Sequence, residues 1–187
     1  MKDDKSLKDL IQLCKDNDLL AQEKIFNLYK DKLFAISMRY ASSKEEAEDM
    51  LMESWLKIFS NINSFIIDKN YKDYLFFAWI KKITINNAIN YYYKNKKYNT
   101  TEVVMDDIME KDVDIFQKDY AFSQEELMFC IEKLPRYIRI IFNLYAIDQY
   151  SNKEIAEILN TTTNSVKTSL YKARKFLQKE LIKIKSR

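Results

Sequence analysis

Basic and hydrogen-bonding side chains recur at helical spacing near the C-terminal end of the chain. On a helix that begins near Thr162 they would share one outer face: Asn164, Lys167, Thr168, Tyr171, Lys172 and Lys175, with Arg174 on the flank. From Thr161 onward there are eight lysine and arginine residues and one acidic residue, Glu180. Such a helix suits the major groove of DNA, where base edges offer donors and acceptors. A solvated lysine-rich helix is the alternative interpretation.

A preceding short helix and a tight turn must position this face. Ser151, followed three residues later by Glu154, has the spacing of a capping box that begins a helix. Ala156 is small where a second helix must cross closely, and Asn160 stands where a left-handed residue ends the first helix. Thr162 can cap the second helix, whose predicted inner face is apolar: Val166, Leu170, Ala173 and Leu177. This order predicts a helix-turn-helix, which favours DNA binding over the solvated alternative.

The composition excludes several other kinds of chemistry. The 187 residues include no glycine and no histidine, so neither a glycine-rich phosphate loop nor a histidine general base is available. We therefore expect no catalytic site, no cofactor and no metal. The acidic pair Glu45 and Glu46 is interpreted as part of a solvated face, since nothing gathers these residues around a substrate pocket. A small enzyme on a helical scaffold remains the weaker alternative.

The same composition predicts an all-α fold. One proline and no glycine leave few signals for the turns of a sheet. The sequence has no apolar stretch of about twenty residues and no apolar leader, which predicts a cytoplasmic protein without membrane insertion. Cys14 and Cys130 lie far apart in helical patterns, and we expect buried structural thiols rather than a disulfide or a metal site.

Residues 1–97 predict four helices, and the third carries a candidate docking surface. A capping box of Ser42 and Glu45 is expected to begin this helix, which extends to about Ser60. Its predicted inner stripe is Ala47, Met50, Leu51, Trp55 and Ile58. The opposite side carries Asp49, Met52, Glu53 and Leu56, at positions i, i+3, i+4 and i+7. An acidic and apolar outer face indicates protein docking, with two incidental exposed apolar residues as the alternative.

The fourth predicted helix, from near Tyr71 to Lys97, is both aromatic and basic. Its predicted core face consists of Phe77, Ile80, Ile83 and Ala88. From Trp79 onward it has no acidic residue and five lysines: Lys81, Lys82, Lys94, Lys96 and Lys97. This combination suits unpaired bases, because rings stack on bases while lysines neutralise the backbone. The alternative is that most of the rings belong to the core.

Residues 98–122 interrupt the helical pattern and are acidic. Seven acidic residues there are accompanied by two lysines, and we interpret the segment as a linker between two basic modules. Ser123 with Glu126 then predicts the start of another helix, and Pro135 is expected in the first turn of the next. Residues 123–187 would thus form a small helical domain that contains the helix-turn-helix.

Three motifs in this order resemble those of bacterial sigma factors of the extracytoplasmic-function (ECF) group, within the sigma-70 family. The polymerase-docking helix of that family is similar to AEDMLMESWLKIF, and its promoter-melting helix is similar to AWIKKITINNAINYYYKNKK. Its last domain, which reads the upstream promoter element, is similar to residues 134–177. The resemblance covers nearly the whole chain apart from the linker.

The resemblance implies a non-catalytic protein that directs core RNA polymerase to promoter DNA and initiates transcription. Residues 1–97 would form a region-2-like domain that docks on the polymerase and opens the minus-ten element. Residues 123–187 would form a region-4-like domain that reads the minus-thirty-five element. An anti-sigma protein is a further candidate partner that the resemblance implies.

The residue patterns and the resemblance together give three sets of candidate site residues. The set for binding core polymerase is Asp49, Met52, Glu53 and Leu56. The set for binding the minus-ten element is Trp79, Lys81, Lys82, Asn86, Asn90 and Lys94. The set for binding the minus-thirty-five element is Asn164, Lys167, Thr168, Tyr171, Lys172, Arg174 and Lys175.

Several residues depart from the family pattern and leave the promoter sequence undetermined. They are Met52 in place of the usual glutamine, Asn90 in place of aspartate, Ser169 in place of a frequent arginine, and Gln149 and Asn160 in place of glycine. The main functional alternative is a conventional helix-turn-helix regulator, which would dimerise and bind a palindrome without polymerase. A helical adaptor whose basic helices bind acidic proteins is a third possibility.

Overall fold

The computed structural model describes residues 5–96 and 122–185, except for the side chain of Lys96. The regular structure within these residues is helical, and no strand occurs among them. The all-α fold class predicted from the composition is therefore confirmed. The chain divides into two compact units, with the division between Tyr98 and Asn99. Apart from Phe122, the acidic linker predicted for residues 98–122 lies outside the described residues.

The described part of the first unit consists of four α-helices and one turn of 3-10 helix. In chain order these are α1 (Leu7–Lys15), α2 (Leu19–Tyr40), α3 (Lys44–Ser60), the 3-10 turn (Ile62–Ser64) and α4 (Asp73–Lys96). α4 begins at Asp73 instead of near Tyr71. Each of α2, α3 and α4 packs against the other two. The two helices that carry candidate site residues therefore share one core.

The inner stripe predicted for α3 is buried, but the helix begins one residue later than expected. The side chain of Ser43, not that of Ser42, accepts a hydrogen bond from the backbone N–H of Glu46 at 3.2 Å. The Glu46 carboxylate in turn accepts from the backbone N–H of Ser42 at 2.8 Å. Two adjacent serines and two adjacent glutamates give the same spacing in either register, so the capping pattern alone does not separate them.

The buried face of α4 also differs from the predicted one. Ile80 and Ala88 are buried as expected, whereas Phe77 and Ile83 are only half-buried. Phe76 is fully buried in place of Phe77. α4 is therefore rotated about its own axis relative to the orientation that its apolar pattern predicts, so that a different side of the helix faces the core.

Two polar residues explain this difference. Thr84 and Asn87 are both almost completely buried, and they occupy positions on the inner face where the pattern would require apolar residues. The Thr84 hydroxyl donates a hydrogen bond to the carbonyl oxygen of Ile80 at 3.0 Å. Because polar residues interrupt the inner stripe, apolar periodicity is a poor guide to the orientation of this helix.

The described part of the second unit consists of four α-helices and one π-helical segment. In chain order these are α5 (Gln124–Glu132), α6 (Arg136–Phe142), the π segment (Asn143–Ile147), α7 (Asn152–Ile158) and α8 (Thr163–Lys185). The capping box predicted for Ser123 and Glu126 is present. Pro135 precedes α6 as its N-cap residue instead of lying in its first turn. The helix expected after it changes to π-helical hydrogen bonding at Asn143.

α8 is the centre of the second unit, since α5, α6 and α7 all pack against it. One buried cluster joins three of these helices: Cys130, Ile131, Leu134, Ile138, Ala173 and Leu177. Cys14 of the first unit and Cys130 are both buried free thiols, as the sequence predicts. Burial raises the pKa of Cys14 to about 11, which keeps this thiol protonated and unreactive at neutral pH. Among the described helices, none combines the length and apolar composition that crossing a bilayer requires.

Candidate nucleic-acid and protein interfaces

The turn between α7 and α8 has the geometry of a helix-turn-helix. The capping box of Ser151 and Glu154 that begins α7 is complete. Asn160 adopts the left-handed conformation, with φ of 46°. The backbone N–H of Thr161 then donates to the carbonyl oxygen of Ala156 at 2.9 Å. This bond satisfies an otherwise unpaired carbonyl at the end of α7 and closes the turn.

The start of α8 and its inner face fix the orientation of this helix. The hydroxyl oxygen of Thr162 accepts a hydrogen bond from the backbone N–H of Ser165 at 3.1 Å, so Thr162 caps α8 as predicted. All four predicted inner residues are buried: Val166, Leu170, Ala173 and Leu177. With the inner face held in the core, the opposite face of α8 must point away from it.

That opposite face carries the seven residues predicted to contact DNA. Five of them are exposed: Asn164, Lys167, Thr168, Tyr171 and Arg174. The other two, Lys172 and Lys175, are half-buried. The Nζ atom of Lys175 lies 5.6 Å from the centroid of the Tyr171 ring. The guanidinium carbon of Arg174 lies 5.9 Å from the ring centroid of Tyr145. Cation–π attraction at these distances reduces the freedom of both cationic side chains.

Positive charge on α8 is partly paired with acidic residues near its C-terminal end. Glu180 lies 3.2 Å from Nζ of Lys133 and also pairs with Lys183. The hydrogen bond from Lys183 lowers the pKa of the Glu180 carboxyl below its usual value. Lys185 is paired as well, with Glu126 at 3.7 Å, whereas Lys179 is an exposed lysine on this part of the helix.

The outer face of α3 combines apolar and acidic side chains. We call its four candidate residues the docking face: Asp49, Met52, Glu53 and Leu56. Met52 is 57% exposed and Leu56 is 72% exposed. Exposed apolar side chains beside carboxylates are what a docking surface requires, although Leu19, Leu20 and Ile66 elsewhere in this unit are exposed to a similar degree.

The two carboxylates of the docking face have partners within the first unit. The hydroxyl of Tyr91 on α4 donates a hydrogen bond to Oδ2 of Asp49 at 3.4 Å. Nζ of Lys57 lies 3.9 Å from Oε2 of Glu53. Both contacts are long and solvent-accessible, and exposed pairs of this kind contribute little to stability. The carboxylates therefore remain available to a basic group on another protein.

Trp79 on α4 belongs mainly to an aromatic cluster. Its ring centroid lies 5.3 Å from that of Phe65 and 5.9 Å from that of Phe76. The rings of Phe65 and Tyr71 form a T-shaped pair with centroids 6.1 Å apart. The Nζ atom of Lys15 donates a hydrogen bond to the carbonyl oxygen of Phe65 at 2.7 Å. The half-buried Trp79 side chain therefore has a structural role in addition to any contact with DNA.

A polar stripe runs along the exposed side of α4. Its four residues are spaced four apart and are all exposed: Lys82, Asn86, Asn90 and Lys94. Lys81 lies beside the stripe and is half-buried. Near the two ends of α4, the rings of Tyr74 and Tyr93 are 63% and 36% exposed. The sequence did not single out these two rings, because it does not separate surface aromatics from core aromatics.

Asn87 lies on the inner side of α4, next to this stripe, and is 1% exposed. Its side-chain amide donates hydrogen bonds to the carbonyl oxygen of Met50 at 2.9 Å and to the hydroxyl of Ser54 at 3.1 Å. Its side-chain oxygen accepts a hydrogen bond from Lys57. No feature of the sequence distinguishes Asn87 from the adjacent Asn86, so its contact with α3 was not predicted.

These surfaces define the class of protein. Within residues 5–96 and 122–185, no group of three or more potential metal ligands is present. The second unit presents a basic recognition helix in a helix-turn-helix. The first unit presents a docking face on α3 and a polar, lysine-containing stripe on the adjacent α4. The chain is thus a two-unit helical protein with the helix-turn-helix of a DNA-binding domain in one unit and an exposed apolar and acidic face in the other.

Comparison with known proteins assigns the family. Residues 25–98 match Sigma-70 region 2, and residues 124–177 match Sigma-70, region 4. The chain is 29% identical over 189 residues to the ECF RNA polymerase sigma factor SigW of Bacillus subtilis, covering 94% of this chain and 96% of the relative. It is 28% identical over 155 residues to the RNA polymerase sigma factor SigV of the same bacterium, covering 83% and 87%.

A solved structure supports the same fold. The sigma factor RpoE from Bartonella quintana, in complex with the anti-sigma factor NepR, matches with a TM-score of 0.51 and 22% sequence identity, covering 87% of this chain and 96% of that chain. The two family matches fall on the two units in the expected order. The chain belongs to the sigma-70 family, in its extracytoplasmic-function group.

Proposed function

We propose that this sigma factor docks on core RNA polymerase through α3, opens the minus-ten element with α4 and reads the minus-thirty-five element with α8. The observation that carries the proposal is the pairing of a basic helix-turn-helix in one unit with adjacent docking and polar surfaces in the other. All three tasks are binding tasks, so the protein initiates transcription without itself being a catalyst. It would act in the cytoplasm, where polymerase and DNA are present.

The docking face would bind the clamp helices of the polymerase's largest subunit, as the family resemblance implies. Met52 and Leu56 supply apolar area at its centre, while Asp49 and Glu53 can pair with basic groups of the polymerase. Since Met52 replaces the usual glutamine, this contact gains apolar character. An apolar centre with charged neighbours is a common arrangement at protein interfaces.

The polar stripe of α4 would bind the unpaired minus-ten strand. Asn86 and Asn90 can hydrogen-bond base edges, Lys82 and Lys94 can neutralise phosphates, and the half-buried Trp79 and Lys81 lie beside them. Unstacking a base costs a few kcal/mol, and stacking on an aromatic ring returns about 1–3 kcal/mol per base. Because the cost of unstacking and the gain from stacking nearly cancel, stable strand opening also requires that core polymerase binds the DNA.

The outer face of α8 would lie in the major groove at the minus-thirty-five element. Lys167, Thr168, Tyr171 and Lys172 lie early on the helix, where recognition helices approach base edges. Three further residues would contact bases or phosphates at the edges of this interface. They are Asn164 at the start of the helix, and Arg174 and Lys175, whose cationic groups lie near the rings of Tyr145 and Tyr171. Lysine and arginine contacts with phosphates supply affinity that depends on salt, and base-edge contacts supply sequence preference.

An anti-sigma protein is a third kind of partner that we propose. RpoE is bound to the anti-sigma factor NepR in the matching solved structure. A protein that covers Met52 and Leu56 of the present chain would compete with polymerase for the docking face. Such competition would restrain transcription without any change in the DNA-binding surfaces.

Binding to promoter DNA with and without core polymerase tests the proposal. A fluorescent duplex that carries the DNA upstream of the protein's own gene is mixed with the protein alone, core polymerase alone, or both. A long-lived, competitor-resistant complex is expected only with both. Tight, sequence-specific binding by the protein alone, as a dimer on a palindrome, would instead support a conventional helix-turn-helix regulator.

A further inference from the structure

We infer that Asn87 is a positioning residue that fixes the register of α4 on α3, and so sets the polar stripe relative to the docking face. The inference rests on the proposed function, because it gives this helix pair the task of holding the strand-opening surface at a set position from the polymerase. The residues that carry it are Asn87, Met50, Ser54 and Lys57.

The contacts of Asn87 cross from one helix to the other. From α4, its amide nitrogen reaches the carbonyl oxygen of Met50 at 2.9 Å and the hydroxyl of Ser54 at 3.1 Å, both on α3. Its amide oxygen accepts from Nζ of Lys57, also on α3. Both polar atoms of one buried side chain are therefore bonded to three residues spread over two turns of the neighbouring helix.

Two other buried polar residues of the first unit, Ser37 and Thr84, behave differently. The hydroxyl of Ser37 donates a hydrogen bond to the carbonyl oxygen of Leu33 at 3.1 Å. The hydroxyl of Thr84 likewise donates to the carbonyl oxygen of Ile80 at 3.0 Å. Each of these bonds stays within one helix, four residues back. Such bonds do not constrain the position of one helix relative to another, whereas the bonds of Asn87 do.

Apolar contacts alone would specify this position weakly. Most of the other buried residues of the two helices, such as Met50, Ile58 and Ile80, are apolar, and apolar burial has no preferred direction. A shift of α4 along α3 would separate the Asn87 amide from its partners while leaving it buried, which is unfavourable. A single buried asparagine fixes the register of coiled-coil helices in the same way.

The position of Asn87 connects the two functional surfaces. Asn86 and Asn90 of the polar stripe lie one residue before and three residues after it. On the other helix, Lys57 also lies 3.9 Å from Glu53 of the docking face. If polymerase holds α3, the register that Asn87 sets determines where Asn86 and Asn90 meet the DNA.

Asn87→Leu tests this role with little risk of unfolding. Leucine has a similar size, and its introduction leaves no buried polar group without a partner. The Ser54 hydroxyl keeps its bond to the carbonyl oxygen of Met50 at 2.6 Å, and the partly exposed Lys57 keeps Glu53 and water. Thr84→Val is the matched control, because it also removes a buried polar group from α4, but one whose hydrogen bond stays within α4.

Two readouts separate positioning from a general structural effect. The chain has two tryptophans, Trp55 on α3 and Trp79 on α4, so 5-fluorotryptophan labelling gives one fluorine NMR signal per helix. We expect sharp signals for the wild type and Thr84→Val, and split or broadened signals for Asn87→Leu. Permanganate reactivity at the promoter, with holoenzyme, should fall about tenfold in Asn87→Leu, as expected for losing one buried hydrogen-bonded group. Capture of core polymerase should be unchanged.

Each other outcome contradicts the inference. If Asn87→Leu keeps sharp signals and normal opening while Asn86→Ala and Asn90→Ala impair opening, Asn87 has no positioning role and the proposed function stands. If Asn87→Leu and Thr84→Val lose opening and helical circular dichroism together, the role of Asn87 is merely structural. If none of the four variants changes opening, the assignment of α4 to strand opening fails, and the inference fails with it.

Discussion

The side-chain amide of Asn87 on α4 donates a 2.9 Å hydrogen bond to the carbonyl oxygen of Met50 on α3. Met50 immediately follows Asp49 of the docking face, and Asn87 immediately follows Asn86 of the polar stripe. One buried contact therefore joins the backbone beneath the docking face to a side chain beneath the polar stripe. The exposed residues of the two surfaces lie on different helices, so each surface can be altered separately.

Charge reversal on the docking face should weaken capture of core polymerase. Replacing Asp49 and Glu53 together with arginine places positive charge where basic groups of the polymerase are expected. We predict a loss of affinity of at least about tenfold, or ~1.4 kcal/mol. The measurement is the dissociation constant for labelled protein and purified core enzyme, with circular dichroism to check that the helices persist.

Replacing Glu23 and Asp31 together with arginine is the matched control for this prediction. Both are exposed carboxylates of α2, a helix that carries no candidate site residue, and their replacement makes the same change in net charge. It should leave capture of polymerase nearly unchanged. If this control weakens capture as much as the docking-face variant does, the effect reflects net charge, and the docking face has no specific role.

Alanine at Asn86 or Asn90 should impair strand opening more than recruitment. Both side chains are exposed on α4, so their removal leaves the core intact and removes hydrogen bonds to unpaired bases. Permanganate reactivity of thymines near the start site should fall, while binding of holoenzyme to the closed promoter stays within about twofold, since a phosphate-dominated contact is retained. A pre-melted template should restore much of the transcription.

Asn27→Ala supplies the control for strand opening. Asn27 is an exposed asparagine on α2, on a helix with no assigned contact to DNA. Its replacement should change neither permanganate reactivity nor recruitment. Recruitment that falls in step with opening in the Asn86 and Asn90 variants would show that these residues stabilise the closed complex instead.

Residues along α8 should divide into those that read bases and those that contact phosphates. Loss of Lys167, early on the helix, should cost about 1–3 kcal/mol and relax preference at one promoter position. Loss of Lys175 should weaken all sequences alike and reduce the slope of the salt dependence by about one. The measurement is holoenzyme binding to a library randomised in the upstream element, at several salt concentrations.

Lys183→Ala provides a comparison from the far end of the same helix. Lys183 is paired with Glu180, so its removal should have little effect on DNA binding. Uniform weakening of every sequence by both Lys167→Ala and Lys175→Ala would make the helix an electrostatic clamp. The assignment of base-reading residues would then be wrong.

Glycine at position 149 should stabilise the second unit. Gln149 has a φ of 62°, and a residue with a Cβ atom pays roughly 1–2 kcal/mol in this left-handed region. Glycine avoids that cost but loses about 0.5–1 kcal/mol in chain entropy, so the net gain should be up to about 1.5 kcal/mol. Thermal unfolding followed by circular dichroism should show a higher Tm for Gln149→Gly. Gln149→Ala, which keeps the Cβ atom, should show no gain, and an equal gain for both would exclude the backbone explanation.

The helix-turn-helix was predictable because each of its parts depends on local chemistry. A capping box at Ser151, a left-handed Asn160 and a capping Thr162 act over three to six residues, and the structure contains all three. The inner face of α8 is uniformly apolar, so its period indicates its orientation directly. Local rules and tertiary packing favour the same arrangement in this part of the chain.

The orientation of α4 was not predictable because tertiary contacts override its local pattern. Thr84 and Asn87 are polar and yet buried, and Asn87 is satisfied by residues more than thirty positions earlier in the chain. The apolar periodicity of one sequence gives no information about a hydrogen-bonding partner so far away along the chain. The π-helical hydrogen bonding that begins at Asn143 was likewise not predicted, because the composition of residues 143–147 resembles that of an ordinary helix.

Run-off transcription tests most directly whether this protein directs polymerase to promoters. Purified core polymerase is supplied with a linear template that carries the DNA upstream of the protein's own gene. We predict a transcript of defined length that requires both core polymerase and this protein, and that is lost when Asp49 and Glu53 are both replaced with arginine. Transcript that forms equally without the protein, or no transcript on any promoter fragment despite tight binding of the protein to DNA, would contradict its role as a sigma factor.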